Sequence, residues 1–442
     1  MAAENGTKEE NALPPPLSAK FKESFAFVTI KDRLPVILSK VADTVHRKKN
    51  NLGAELGNEK AEDLKGIAGE ISKLRYEIQT DKDVVALEDT RGDVDIWNEV
   101  LKNLTKQNNN QPPRWFSAAW LYLECYMYRR IQQSVELSKY MNEYDVFEDQ
   151  KKNAYVTSVP AIQTLLTYLL TSVENIPVDS NKLQPLFSQL IQVALWGNKC
   201  DLSISASMEN SQTSCILDQL HSLEPFILLN HTQQLWNHLQ KTGKCRIDIV
   251  LDNAGFELIT DLCLAEFLLS SNMASEIHFH GKAFPWFVSD VTSDDFLWTL
   301  ESLASTNNLA LSRFGTKWQQ RIQDGTWVLH FDKFWTTPYV FEEMKSKCLT
   351  LHSELSKASL IIFKGDLNYR KLVGDLNWDT TVSFERSLQG FHPAPLVSLR
   401  ALKCDVVVGL KPGQGEETKV KDESWMINGN WSVICFCDKQ LK

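Results

Sequence analysis

The sequence predicts an α/β protein whose first half is all helix and whose second half is a doubly wound, mostly parallel sheet. Three observations carry this. Apolar residues before about residue 240 recur at three- and four-residue spacing, and few runs there alternate with period two. After Gly243 the pattern changes to short apolar runs separated by helical stretches, the order of a sheet built from strand–helix–strand units. Within that half, the run Ile247 to Leu251 stops at Asp252-Asn253, and helical spacing resumes at Phe256, Leu258, Ile259 and Leu262. A strand that ends in an acid and an amide just before a helix marks the carboxyl edge of a sheet, where open α/β folds bind ligands.

Taken in order, residues 1–18 are polar and then Pro-rich and are expected to form a disordered tail. A mainly helical domain is expected over 19–240 and an α/β catalytic domain over 241–442. The helical segments are "SFAFVTIKDRLPVILSKVADTVHRKKN", "AEDLKGIAGEISKLRYEIQT", "DVDIWNEVLKNLTKQ", "RWFSAAWLYLECYMYRRIQQSVEL", "VPAIQTLLTYLLTSVENI" and "LQPLFSQLIQVALWGNKCDLS". The fourth is apolar and aromatic on nearly all sides, as a central helix of a bundle is. Strands are expected at Arg246–Leu251, Glu276–His280, Thr326–Phe331, Ser359–Phe363, Pro395–Leu399, Asp405–Gly409 and Trp431–Cys437. Helices fit Phe256–Ser270, Ser293–Ser305, Leu311–Gln323 and Thr350–Lys357.

Composition narrows the function. The chain of 442 residues is 43% hydrophobic and 23% charged, ordinary for a globular protein. A net charge of -9 argues against a general nucleic-acid binder, which needs a basic face. No apolar run approaches the roughly 18 residues of a membrane span, and the N-terminus lacks the apolar core of a secretory signal. Nine scattered cysteines, without paired CxxC knuckles, suit reduced thiols rather than zinc or a disulfide framework. The expected compartment is the cytoplasm, with the nucleus also open to such a chain, and neither nucleic acid nor membrane is an expected partner.

The ends of four strands carry the chemistry. Asp252-Asn253 follow the first, Asp290 follows the second beyond "GKAFPWFVS", "KGDLNYRK" (Lys364 to Lys371) follows the fourth, and "RALK" (Arg400 to Lys403) follows the fifth. In a parallel sheet these points share an edge. Two acids, the amides Asn253 and Asn368, and the bases Lys364, Arg370, Lys371, Arg400 and Lys403 then face one crevice. Carboxylates and an amide oxygen without His or Cys suit a hard divalent cation, and Lys and Arg around it suit phosphate. Each piece alone is also consistent with a helix cap or a solvated loop; the conjunction favours phosphoryl chemistry. His278 and His280 alternate on one strand and are expected to be structural.

"LDNAGFEL", "WFVSD", "FKGDLNYRKL", "GFHPAP" and "WGNKCDLS" together resemble the metal-dependent damage-control phosphatases, over nearly the whole chain from about Ser24. The resemblance is to the sugar phosphate phosphatase subfamily III, which also carries the name acidic residue (protein-glutamate) O-methyltransferase. It implies a helical domain packed on a Rossmann-like α/β/α sheet and a divalent cation (Mn²⁺, Mg²⁺, Co²⁺ or Ni²⁺) at Asp252, Asn253 and Asp290. It also implies substrate contacts from Asp366, Leu367, Asn368, Tyr369, Arg370 and Lys403. The subfamily's Arg-Thr-x-Lys motif reads Arg400-Ala401-Leu402-Lys403 here, so a hydroxyl is missing while both bases remain. Asn198 and Asp201, in "WGNKCDLS", are expected to close the site from the helical side. The implied activity is hydrolysis of sugar phosphate monoesters such as fructose 1-phosphate. The alternative is S-adenosylmethionine-dependent methylation of protein carboxylates, with Asp252, Glu257 and Asp290 against the cofactor. It is physically the weaker, because "DNAG" has one glycine where such a cofactor is met by a glycine-rich turn, and methyl transfer gives the clustered bases no role.

Overall fold

The computed structural model describes residues 12–174, 180–197, 199 and 220–438. A seven-stranded sheet has the order β1-β7-β6-β5-β2-β3-β4. Its strands are β1 Ile227–Asn230, β2 Cys245–Val250, β3 Ala274–His280, β4 Trp327–His330, β5 Leu360–Lys364, β6 Leu396–Ala401 and β7 Ser432–Cys437. The five strands from β6 to β4 are mutually parallel. β7 runs antiparallel to β6, and β1 pairs parallel with β7. The chain moves outward from β2 through β3 to β4, then returns to lay β5 and β6 on the other side of β2. The β2/β5 boundary is therefore the switch point at which the order reverses, and a crevice opens beyond the strand ends there.

The helices are α1 Leu34–Leu56, α2 Asn58–Gln79, α3 Val94–Gln107, α4 Trp120–Glu136, α5 Glu148–Glu174, α6 Ser180–Leu195 and α7 Thr232–Thr242. They continue as α8 Phe256–Ser270, α9 Ser293–Ala304, α10 Leu309–Gln323, α11 Leu349–Leu355, α12 Gly365–Leu372 and α13 Gln414–Lys421. Helices α5 to α10 cover one face of the sheet, where Ile247, Ile249, Ile277, Phe279, Ile362 and Val397 point. The opposite face presents Val250, Ile361, Phe363 and Leu396, and its core runs on into α1, α2, α4 and α12. The alternation along each strand thus assigns successive residues to two cores, giving α/β/α layers.

Three expectations change. The sheet takes an edge strand, β1, from before residue 241, and α5 and α6 pack on α8 as a layer of the sheet rather than on the helical bundle. Asp405–Gly409 is not a strand: the Cys404 and Val406 carbonyls accept from Arg400, and the Val408 N–H donates to the Tyr369 hydroxyl. Side chains take the Val406 carbonyl and the Val408 N–H, the Gly409 N–H donates to the Val382 carbonyl, and β7 takes the place beside β6. Finally, of the expected disordered tail, residues 12–18 are ordered. Leu17 N–H donates to the Asp375 carbonyl, Trp120 N–H to that of Leu17 and Asn377 N–H to that of Pro15, and Leu17 is buried. The polar composition belongs to residues 1–11, which lie outside the described residues; the prolines that follow are extended and find backbone partners.

Among the described residues no helix is long and apolar enough to cross a membrane. Cys435 and Cys437 are buried in β7 as core residues. His278 and His280 lie on β3 beside His330 of β4, with His278 Nδ1 2.9 Å from His330 Nε2 and His280 Nε2 3.0 Å from Asp248. Burial, reinforced by the neighbouring imidazoles, pushes His330 down to about 4. Between that value and the ordinary histidine range near 6.5, the unfolded chain binds a proton that the fold refuses, so stability falls as pH drops through the window. Denaturant unfolding of the parent should lose roughly 1–2 kcal/mol more than His330→Asn between pH 7 and pH 4.5, a range set below the full shift because the ring is partly exposed.

Candidate active site at the sheet switch point

β2 is a buried strand whose two charged residues, Arg246 and Asp248, pair with each other, and the chain leaves its buried end at Asp252. Val291 N–H donates to the Asp252 carbonyl and Ala254 N–H to that of Ser289, so the loops after β2 and β3 run side by side. This pairing sets Asn253 opposite Asp290. Asp290 is held from the other side by α9, whose capping box joins Thr292 and Asp295. Lys151 of α5 reaches Asp295 at 2.5 Å.

The loop that carries Asp290 is strained. Phe287 and Val288 have φ of +44° and +71°, a conformation that a β-branched residue adopts only when its surroundings impose it. Here Phe287 stacks on Tyr128 of α4 with ring centroids 4.5 Å apart. The turn swings Ser289 Oγ onto Asn253 Oδ1. Asn253 Nδ2 in turn donates to Asp252 at 2.6 Å and to Glu257 at 2.9 Å.

Gly365 occupies the end of β5 across from Asp252. Its φ is +84°, and a Cβ there would lie 2.0 Å from Asp252 Oδ2. Only glycine lets the first turn of α12 approach the carboxylate this closely. The crevice has two chambers that share Asp252, Asp366 and Lys403. The inner one is lined by Trp196, Lys199, Glu257, Gly365 and Ala401. The outer one lies between the sheet edge and the helical bundle, and there Arg33, Trp120, Glu124, Tyr128, Phe287 and Ser289 face Asp290 and Arg370.

The bases are divided by burial. Lys403 is exposed, and its N–H donates to Asp366 at 3.2 Å. Arg370 lines the outer chamber, but its guanidinium binds Glu124 at 2.6 Å and Asp375 at 2.8 Å and lies over Trp120. Four of the expected phosphate-site residues, Lys364, Asn368, Tyr369 and Arg400, do not line the crevice. Lys364 turns beneath the floor to Asp261 at 2.7 Å, Glu257 at 3.3 Å and the Ala194 carbonyl. Arg400 reaches Asp366 at 2.7 Å and the carbonyls of Cys404 and Val406. Tyr369 is buried under Arg400. Each cation finds an acid or carbonyl closer to its own strand, and a buried cation cannot forgo such partners. Lys371 likewise donates to the Thr337 carbonyl. Asn368 clips α12 to β2 through the Leu251 carbonyl, and Leu367 is an apolar wall of the outer chamber. Glu257 faces inward onto Asn253 and Lys364. Asn198 and Asp201 lie outside the described residues.

Sequence spacing missed Arg33, Trp120, Glu124 and Tyr128. A signal was present: 120, 124 and 128 lie at four-residue steps on α4, and Glu124 is an acid inside its otherwise apolar, aromatic first half, Trp120 to Tyr128.

Among the described residues no three His, Cys, Asp or Glu side chains form a ready-made metal cage. The donor set at Asp252, Asn253 and Asp290 is two carboxylates and an amide, and its electrostatics favour a cation. Burial, then the negative charges of Glu257 and Asp290, hold Asp252 well above the usual carboxylate range. Burial also raises Asp290. Lys282 Nζ lies 3.0 Å from Asp290 Oδ2, yet that oxygen receives no aligned hydrogen bond. A hard divalent ion suits these oxygens. For Asn253 to join them as an oxygen ligand its amide must turn over, which directs Nδ2 to Ser289 Oγ.

A profile of the damage-control phosphatase ARMT1-like domain matches residues 29–418. The chain is 49% identical over 434 residues to damage-control phosphatase ARMT1 of Xenopus tropicalis, covering 96% of this chain and 99% of that protein. The protein of that name from Danio rerio is 47% identical over 440 residues, covering 97% and 98%. The human one is 44% identical over 433 residues, covering 96% and 98%. Among solved structures, a DUF89 family protein from Pyrococcus horikoshii aligns with TM-score 0.42 and 15% identity, covering 91% of this chain and 97% of that one.

Proposed function

Because the chain belongs to the damage-control phosphatase ARMT1-like family, we propose that it is a metal-dependent phosphomonoesterase acting on sugar phosphates, fructose 1-phosphate among them. The observation that carries this reading is the meeting of Asp252, Asn253 and Asp290 with Lys403 and the first turn of α12 at the β2/β5 switch point. Acidic oxygens for a cation and a base for an anion stand on facing walls of one crevice.

Asp252, Asn253 and Asp290 would hold the cation. When bound, it polarises a phosphoryl oxygen and offsets the charge that gathers there in the transition state. The phosphate lies at the start of α12, where the helix dipole favours an anion. Lys403 contributes the mobile positive charge. Arg400 acts through Asp366: its guanidinium fixes the carboxylate that accepts the Lys403 N–H, which sets where the lysine starts. The sugar occupies the outer chamber against Trp120, Tyr128 and Phe287, whose faces exclude water from the reacting end. Lys364, shared between Glu257 and Asp261, keeps a buried ion-paired floor beneath the acids.

Phosphate release from a panel of sugar monophosphates that includes fructose 1-phosphate tests the reading. Lys403→Ala should weaken kcat/KM by the ~1.5–3 kcal/mol of a charged hydrogen bond, roughly 10- to 100-fold, mainly through KM. Steady-state kinetics that leave both constants unchanged would remove Lys403 from the phosphate site.

A further inference from the structure

The outer chamber contains a cation that the hydrolysis of a simple monoester does not use. Arg33 closes a π-helical stretch, Thr29–Arg33, just before α1. Such an inserted residue breaks the regular helical face and is frequent at functional sites. The guanidinium lies over the Phe25 ring at 4.9 Å, which steadies one face and leaves its edge donors directed elsewhere. Arg33 is exposed, and it lines a chamber with four carboxylates, those of Glu124, Asp252, Asp290 and Asp366. Its field acts on Glu124 and Tyr128 against the effect of burial.

Yet Arg33 pairs with none of the four. Arg370, on the same wall, is in ion pairs with Glu124 and Asp375, whereas among the described residues Arg33 and Lys403 are in none. One phosphate is matched by Lys403 and the cation-holding acids. Arg33 faces the part of the crevice that receives the rest of the substrate, on a wall supplied by the helical bundle.

We propose that Arg33 is a specificity-determining residue that binds a second anionic group, a carboxylate or a second phosphate, on the leaving-group portion of the substrate. This rests on the phosphomonoesterase reading of the same crevice. A guanidinium fork pairs with either anion through two parallel N–H···O bonds, and with a neutral hydroxyl less strongly. Sugar bisphosphates and phosphorylated sugar acids are then preferred over neutral sugar monophosphates.

The test compares fructose 1-phosphate, fructose 1,6-bisphosphate and 6-phosphogluconate in the cation-loaded parent, Arg33→Gln and Arg33→Lys. The parent is expected to favour at least one doubly anionic substrate by tenfold or more, chiefly in KM. Which of the two it favours identifies the second anion as phosphate or carboxylate. Arg33→Gln should reduce the preference below threefold, and Arg33→Lys should restore part of it. A parent without preference overturns the proposal, as does an Arg33→Gln protein weakened equally on all three substrates. If the parent releases phosphate from none of them, the phosphatase reading fails and thermal melting decides about Arg33. Greater protection by fructose 1,6-bisphosphate or 6-phosphogluconate than by fructose 1-phosphate, lost in Arg33→Gln, upholds the anion site; equal protection overturns it.

Discussion

Asp252→Ala is expected to reduce phosphate release by at least ~10³-fold, about 4 kcal/mol of transition-state stabilisation, while the protein stays folded. Asp252 stands where both chambers meet, between the amide of Asn253 and the backbone of Gly365. Burial, and then the charges of Glu257 and Asp290 beside it, hold it well above the usual carboxylate range. Removing it relieves like-charge repulsion in the cation-free protein. Denaturant unfolding without added cation should therefore place Asp252→Ala, and the closer isostere Asp252→Asn, at or above the parent in stability. Activity within tenfold of the parent in either variant would contradict a central role for this carboxylate.

Gly365→Ala is expected to damage fold and function together. The new Cβ would lie 2.0 Å from Asp252 Oδ2, and the residue would have to hold φ at +84°. Either the Asp252 side chain moves or the β5–α12 turn opens, with a cost of roughly 2–4 kcal/mol. Because the displaced atom is the carboxylate itself, turnover should fall even where the variant remains folded. A Gly365→Ala protein with parental unfolding midpoint and parental kcat would show that the close approach has no role.

Much of this was legible in the sequence because the sheet is regular. Strands buried on both faces read as apolar runs, and the polar residues at their ends identify the carboxyl edge without tertiary information. Asp252, Asn253 and Asp290 follow such strands, and the structure brings them to one edge. What spacing does not carry is the direction of a long side chain. Lys364, Arg370, Arg400 and Lys403 look alike in sequence, but the first three are buried in ion pairs and only Lys403 stands exposed at the crevice. Asp261, one helical turn beyond Glu257, draws Lys364 under the floor, and the carbonyls of Cys404 and Val406 turn around Arg400. The latter contacts also explain why an apolar run, Asp405–Gly409, is not a strand. The wall from the helical bundle was illegible for another reason: Arg33 and Trp120 are far from the strand ends in sequence and meet them only through packing. Leu17, too, is ordered by partners at Trp120 and Asp375 that composition cannot reveal.

The measurement that bears most directly on the central claim is phosphate release from fructose 1-phosphate by metal-stripped protein. Mn²⁺, Mg²⁺, Co²⁺ or Ni²⁺ is added back, and Asp252→Ala is carried in parallel. The account predicts release that requires a cation and is absent from the variant. Release that persists after metal removal, or that survives in Asp252→Ala, would contradict it. So would silence with every cation across a wider set of phosphate esters, an outcome that would bring carboxyl methylation forward as the function of this crevice.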